Sequence, residues 1–173
     1  MNYTDFAEVF SRHSARVAIL STYDFDPLYF EKRLLFSDAL VNASRIVIFM
    51  DKGRYQRLVH SDARARYLNE RYLIVPVRPS SDGVFHAKLN LLVREDGATL
   101  FCGSNNLTQA GCTQNLEIIN AIDIQAEDQK SPYRGLLRDA VEFFQGCLDL
   151  CAGSESRVAK QFLSDLLAEF PWL

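Results

Sequence analysis

Short apolar runs separated by polar, turn-rich segments mark out strands along this chain. Residues 16–23 (RVAILSTY) are apolar and β-prone and predict a first strand. Residues 45–51 (RIVIFMD) are apolar almost throughout, as expected of a strand covered on both faces, and residues 72–77 (YLIVPV) predict a third. Between the first two, Asp26-Pro27 supplies an N-cap acceptor and a proline at the first helical position, which predicts a helix running to about residue 41 with Leu28, Leu35 and Leu40 on its apolar faces. Thr4 is a candidate cap for a short helix over residues 5–12, and the segment after residue 51 predicts helical turns up to residue 69.

The later pattern changes. Residues 79–83 form a loop, and residues 84–93 predict a fourth strand. Glu95-Asp96-Gly97 is a hairpin turn into a fifth strand at 98–102, and a polar loop over 103–111 precedes a sixth strand at 114–124. Two amphipathic helices, 133–151 and 155–169, close the chain. Strands joined by helical crossovers, followed by strands in hairpin order, predict an α/β domain. Its mixed sheet should be parallel first, antiparallel later, and flanked by helices on both faces. No repeat or long linker divides residues 1–173, so a single domain is expected.

Composition narrows the class. With 173 residues, 48% apolar and 24% charged, the chain has material for a real core and the balance of a globular protein. No apolar run is long enough to span a bilayer and Met1-Asn2-Tyr3-Thr4-Asp5 is no signal peptide, so the expected location is cytoplasmic and no membrane partner is expected. Cys102, Cys112, Cys147 and Cys151 form no CxxC pair and read as buried small side chains, with no metal and no cofactor implied. Charge is uneven within the net −3. Residues 52–78 carry seven basic residues, Arg54 and Arg57 among them, against two acidic ones, whereas residues 95–173 carry five basic and twelve acidic ones. The basic segment is either a solvated face or a surface for phosphates.

The chemistry concentrates in Phe85-His86-Ala87-Lys88-Leu89-Asn90 and in Gly103-Ser104-Asn105-Asn106. On a strand, His86, Lys88 and Asn90 share one face, while Phe85, Ala87, Leu89 and Leu91 share the other. The hairpin at Asp96-Gly97 folds the second segment back beside the first. Gly103 allows close backbone approach, and Lys88, Ser104 and Asn106 offer a charge and neutral donors to phosphate oxygens. A neutral His86 can attack phosphorus directly, and Glu117 is the best placed carboxylate to fix its tautomer. Asn90 either lines the cleft or faces solvent. His13 and His60 are the other histidines, both expected at the surface.

His86-x-Lys88 followed by Gly103-Ser104-x-Asn106 resembles the HKD signature of the phospholipase D superfamily. Gly111 and Asn115-Leu116-Glu117 extend the likeness to a nuclease-like branch found in restriction enzymes and beside helicases in DNA-processing or defence systems. The resemblance implies a phospholipase D-like fold and a metal-independent phosphodiesterase, in this branch a DNA endonuclease. His86 would form a phosphohistidine, and Lys88, Ser104 and Asn106 would hold the phosphate. Glu117 would contact the nucleophile and a second histidine would protonate the leaving group. Family members use two such motifs and this chain has one, which implies a homodimer built through the active-site face. DNA, and a helicase or other DNA-processing protein, are the implied partners. Val93 stands where the family has aspartate. That departure keeps open a catalytically degenerate module that dimerises and binds nucleic acid. A lipid phosphodiesterase ranks last, because no basic amphipathic segment stands out.

Overall fold

The computed structural model describes residues 5–61, 65–79 and 82–173. The cap expected at Thr4 and the basic side chain of Arg64 lie outside the described residues.

Six strands form one mixed sheet: β1 (Val17–Thr22), β2 (Arg45–Asp51), β3 (Leu73–Val77), β4 (Leu89–Val93), β5 (Gly97–Gly103) and β6 (Ile119–Gln125). Their spatial order is β3-β2-β1-β4-β5-β6, with β1, β2 and β3 parallel and the β1–β4, β4–β5 and β5–β6 pairs antiparallel. The expected α/β architecture and the change from parallel to antiparallel pairing are thus present.

Alternation along each strand divides the core in two. Ala18, Leu20, Ile46, Ile48, Ile74, Leu92 and Phe101 face the layer of α1 (Phe6–Ser11) and the segment around residues 25–43. Val17, Ile19, Val47, Phe49, Val75, Leu91, Val93 and Leu100 face α4 (Arg134–Asp149) and α5 (Ser154–Glu169). A sheet buried on both faces explains why the first strands read as unbroken apolar runs. Asp5 caps α1, its side chain accepting from Glu8 N at 2.6 Å.

The segment after Asp26 departs from the regular helix expected to residue 41. Helix α2 (Pro27–Tyr29) runs directly into five π-helical residues, Phe30–Leu34, and then into turns. The buried side chains come in pairs five apart: Tyr29 and Phe30, Leu34 and Leu35, Ala39 and Leu40. An α-helical period would scatter these pairs around the axis, whereas i→i+5 pairing, as in Leu35 N to Phe30 O at 2.8 Å, keeps them inward. Leu28 is exposed instead. Buried Glu31, on this π-helical stretch, anchors the basic segment: it accepts from Arg66 N, Tyr67 N and Tyr72 Oη at 2.9–3.0 Å. The basic segment itself holds α3 (Lys52–Val59), capped by the Asp51 carboxylate through Arg54 N at 3.0 Å.

Two expected strands are shorter than their sequence patterns. The fourth begins at Leu89, and residues 83–88 run without regular structure. β1 pairs with β4 only through Val17, Ala18 and Ile19. Beyond that, side chains replace the ladder. Ser21 Oγ donates to Leu89 O at 2.9 Å and accepts from Leu89 N at 2.8 Å, and Ser21 N donates to Asn90 Oδ1 at 3.3 Å. Backbone pairing between β1 and β4 therefore stops short of the carboxyl end of β1. The sixth strand begins at Ile119, because Ala110–Gln114 is a π-helical turn. A Cβ on Gly111 would lie 2.5 Å from Asn106 O, so only glycine lets that turn seat against the preceding loop.

Candidate active site

The candidate site gathers its polar side chains from four places: the end of β1, the start of α3, the segment entering β4, and the loop after β5. His86 and Lys88 come from the irregular segment. Phe85 is buried against the α4 layer, and its N–H donates to Asp51 Oδ2 at 3.0 Å, which ties the segment to the end of β2. With Phe85 inward, His86 is exposed and Lys88 is 7% exposed. Lys88 Nζ lies 2.7 Å from His86 Nδ1 and 3.2 Å from Nε2, and donates to His86 O at 2.9 Å. An ammonium only donates, so the nearer ring nitrogen presents its lone pair to Lys88. Burial pushes the Lys88 ammonium below its ordinary value of 10.5, and the Glu117 carboxylate opposes that shift.

The loop after β5 is brought alongside by the ladder. Leu89 pairs with Cys102, and Gly103 N donates to Lys88 O at 3.2 Å. A Cβ on Gly103 would stand 2.6 Å from Ile118 O, which accounts for glycine there. Asn106 is held by its oxygen. Oδ1 accepts from Tyr23 N and Asp24 N, each at 3.2 Å, and lies 3.4 Å from Thr22 Oγ1. These N–H donors fix the orientation of the amide and leave Nδ2 as its donor end. Ser104 Oγ donates to Glu117 Oε2 and accepts from Ile118 N at 3.1 Å. A bound phosphate therefore competes with Glu117 for the Ser104 proton.

Several sequence-based expectations change. Glu117 does not bond His86; its oxygens take Ser104 Oγ and, at 3.2 Å, Asn115 Nδ2. Asn90 is neither cleft-lining nor solvent-facing: it is 2% exposed and serves as the pin between β1 and β4. Arg54 reaches the site, whereas Arg57 is exposed on the following turn of α3. His13, expected at the surface, is partly buried. Its Nδ1 lies 3.2 Å from Thr99 Oγ1 and its ring packs edge-on against Phe101 at 5.2 Å. His60 is exposed, its Nδ1 lying 2.6 Å from Gln56 O. Cys102 is exposed, while burial raises the thiols of Cys112 and Cys147 to about 12 and that of Cys151 to about 11.

Tyr23 and Asp24 are the residues the sequence did not single out. The Tyr23 ring centroid lies 4.7 Å from that of His86, 4.6 Å from Arg54 Cζ and 5.8 Å from Lys88 Nζ. Arg54 Nη1 lies 3.8 Å from Asp24 Oδ2, and its Nε is buried without a hydrogen-bond partner. The signal was positional: both residues directly follow the carboxyl end of a central strand.

Among the described residues no group of three or more His, Cys, Asp or Glu side chains is placed to hold a metal, and no helix is long and apolar enough to cross a membrane. Val93, where the HKD signature has aspartate, is fully buried in the apolar layer under α4 and α5. It lies five residues beyond Lys88, about 16 Å along an extended chain.

No protein-family profile and no curated protein matches the chain. Solved structures do. NucT from Helicobacter pylori superposes with a TM-score of 0.57 at 15% identity, over 86% of this chain and 87% of that one. The H182A mutant of yeast tyrosyl-DNA phosphodiesterase gives 0.56 at 14% identity over 79% of this chain, and the H432N_Glu mutant gives 0.52 at 18% over 80%. This chain spans only 32% of the length of either yeast structure. The mixed sheet, its flanking helices and these likenesses agree: the chain has the phospholipase D-like fold.

Proposed function

We propose that this protein is a metal-independent phosphodiesterase that cleaves nucleic acid, DNA first, through a phosphohistidine at His86 and as a homodimer. The observation that carries the reading is the convergence of His86, Lys88, Ser104 and Asn106 at one end of the sheet, with Arg54 beside them. Lys88, the Ser104 hydroxyl and Asn106 Nδ2 are donors for the non-bridging oxygens of a phosphodiester, and they are held before substrate arrives. A phosphate drawing Lys88 Nζ towards itself releases the His86 lone pair it faces. The ring nitrogen then attacks phosphorus, a P–N bond forms, and the P–O bond to the leaving group breaks. The His86 of a second copy gives the leaving oxygen its proton. The same histidine, now neutral, takes a proton from water, which attacks phosphorus, breaks the P–N bond and regenerates the enzyme.

Three observations support the finer points. The basic side chain of Arg54 suits a polyanion with phosphates beyond the scissile one. Leu116 and Ile118, on either side of Glu117, are 81% and 76% exposed, apolar side chains at the rim of the site that a second copy would cover. Val93 lies in the apolar layer under α4 and α5, while Lys88, Ser104 and Asn106 remain available as donors. Tyrosyl-DNA phosphodiesterase is named for phosphodiester chemistry on DNA, which agrees with the reading. A setting in restriction or helicase-linked DNA processing is the corresponding biological role.

The test is DNA cleavage in excess chelator by wild type and His86→Ala. Cleavage that persists in chelator and is lost in the variant is expected. Cleavage that needs a divalent cation, or survives the substitution, contradicts the mechanism. Salt-dependent DNA binding without cleavage in either protein would indicate the degenerate module instead.

A further inference from the structure

Among the described residues, the His86 ring has its hydrogen-bond contacts with Lys88 alone, since Glu117 is engaged with Ser104 and Asn115. No carboxylate therefore sets the ring's orientation. The group packed against it is Tyr23, at 4.7 Å between centroids and 44° between planes. Tyr23 is itself placed from two sides. Its N–H is fixed on Asn106 Oδ1 at 3.2 Å, and its ring carries the Arg54 guanidinium at 4.6 Å. Arg54 is in turn seated by Asp51, whose second oxygen holds Phe85 N next to His86. The ring thus stands where the GSxN loop, α3 and the HxK segment meet.

We propose that Tyr23 is the positioning residue for His86, its ring setting the angle at which the imidazole meets the phosphate. The assignment rests on His86 being the nucleophile proposed above. An aromatic wall orients an imidazole by contact without accepting its proton, so the ring stays free to gain and lose phosphorus. It is the ring, and not the hydroxyl, that matters for this role. Asn106 then acts twice, offering Nδ2 to the phosphate and placing Tyr23 through its oxygen. This links the two sequence motifs through a residue in neither.

The test compares wild type, Tyr23→Phe and Tyr23→Ala in two measurements. The first is carbon-13 relaxation of the His86 ring in the full chain, which needs no activity. Wild type and Tyr23→Phe are expected to show an ordered ring, and Tyr23→Ala a mobile one. The second is turnover of bis(p-nitrophenyl) phosphate. Tyr23→Ala is expected to lower kcat on the order of 10²-fold with little change in KM, and Tyr23→Phe to restore it, because a misplaced nucleophile costs rate more than binding. An ordered His86 ring in Tyr23→Ala overturns the proposal whether or not the protein turns over. A loss expressed in KM alone also overturns it and makes Tyr23 a substrate contact. If instead His86→Ala cleaves as fast as wild type, the phosphodiesterase reading fails while the relaxation data still decide the role of Tyr23.

Discussion

Lys88 is the side chain on which the chemistry and the stability of the site bear in opposite directions. On the proposed mechanism it must be charged to hold a phosphate, yet it is buried, and burial lowers its proton affinity. Between the lowered folded value and the unfolded value near 10.5, the unfolded chain binds more protons than the folded one. This group therefore adds stability as pH rises through that window. Lys88→Met should remove that rise in a series of denaturation curves at alkaline pH. Activity should run the other way. Its alkaline limb should fall below the ordinary lysine range, and Lys88→Arg, which does not titrate there, should move the limb upward at a lower kcat. An unmoved limb would mean that Lys88 is not the titrating group. Asn106 separates two functions in the same manner. Asn106→Ala leaves the N–H groups of Tyr23 and Asp24 unpartnered, a cost of about 1–3 kcal/mol readable in the denaturation midpoint. Asn106→Asp keeps that acceptor but replaces the donor end by a negative charge. It should fold nearly as well as wild type and lose turnover.

At the scale of elements, the π-helical stretch and the loops around the site matter more than the strands. Glu31 satisfies three donors from the basic segment. Glu31→Ala should cost about 2–4 kcal/mol in urea unfolding, because buried donors lose their acceptor. An effect below about 0.5 kcal/mol would show that water replaces it readily. Gly111→Ala forces a methyl against Asn106 O and should reduce activity by displacing the GSxN loop. The strands and the change from parallel to antiparallel pairing were legible because apolar runs, crossovers and hairpin turns record them, and the HxK and GSxN residues were legible because chemistry demanded them together. What the sequence hid was set by tertiary contact. The fourth strand starts late because Ser21 and Asn90 replace the ladder, a substitution no periodicity records. The helix after Asp26 widened because its apolar pairs recur at five, which is easily taken for an ordinary amphipathic pattern. Tyr23 and Asp24 carry no motif at all; they belong to the site because β1 ends there.

The whole molecule presents one motif where the resemblance calls for two. It covers nearly all of the length of NucT but only about a third of the yeast phosphodiesterase structures. On the proposed mechanism two copies of His86 complete the site. Mixing equal volumes of wild type and His86→Ala at the same concentration, and allowing exchange, should leave about a quarter of the undiluted activity if both histidines of a pair are needed, against about half if each chain works alone. Leu116→Asp or Ile118→Asp should shift sedimentation from dimer to monomer and lower activity in step. A monomer that retains full activity would remove the need for a second copy.

The most direct measurement is to quench the reaction of end-labelled DNA with a denaturant, in excess chelator, and to look for label joined to the protein. A phosphohistidine mechanism predicts covalent label that is stable to alkali, lost in acid, maps to His86 and is absent from His86→Ala. Cleavage without any labelled protein, or label on a residue other than His86, would contradict it.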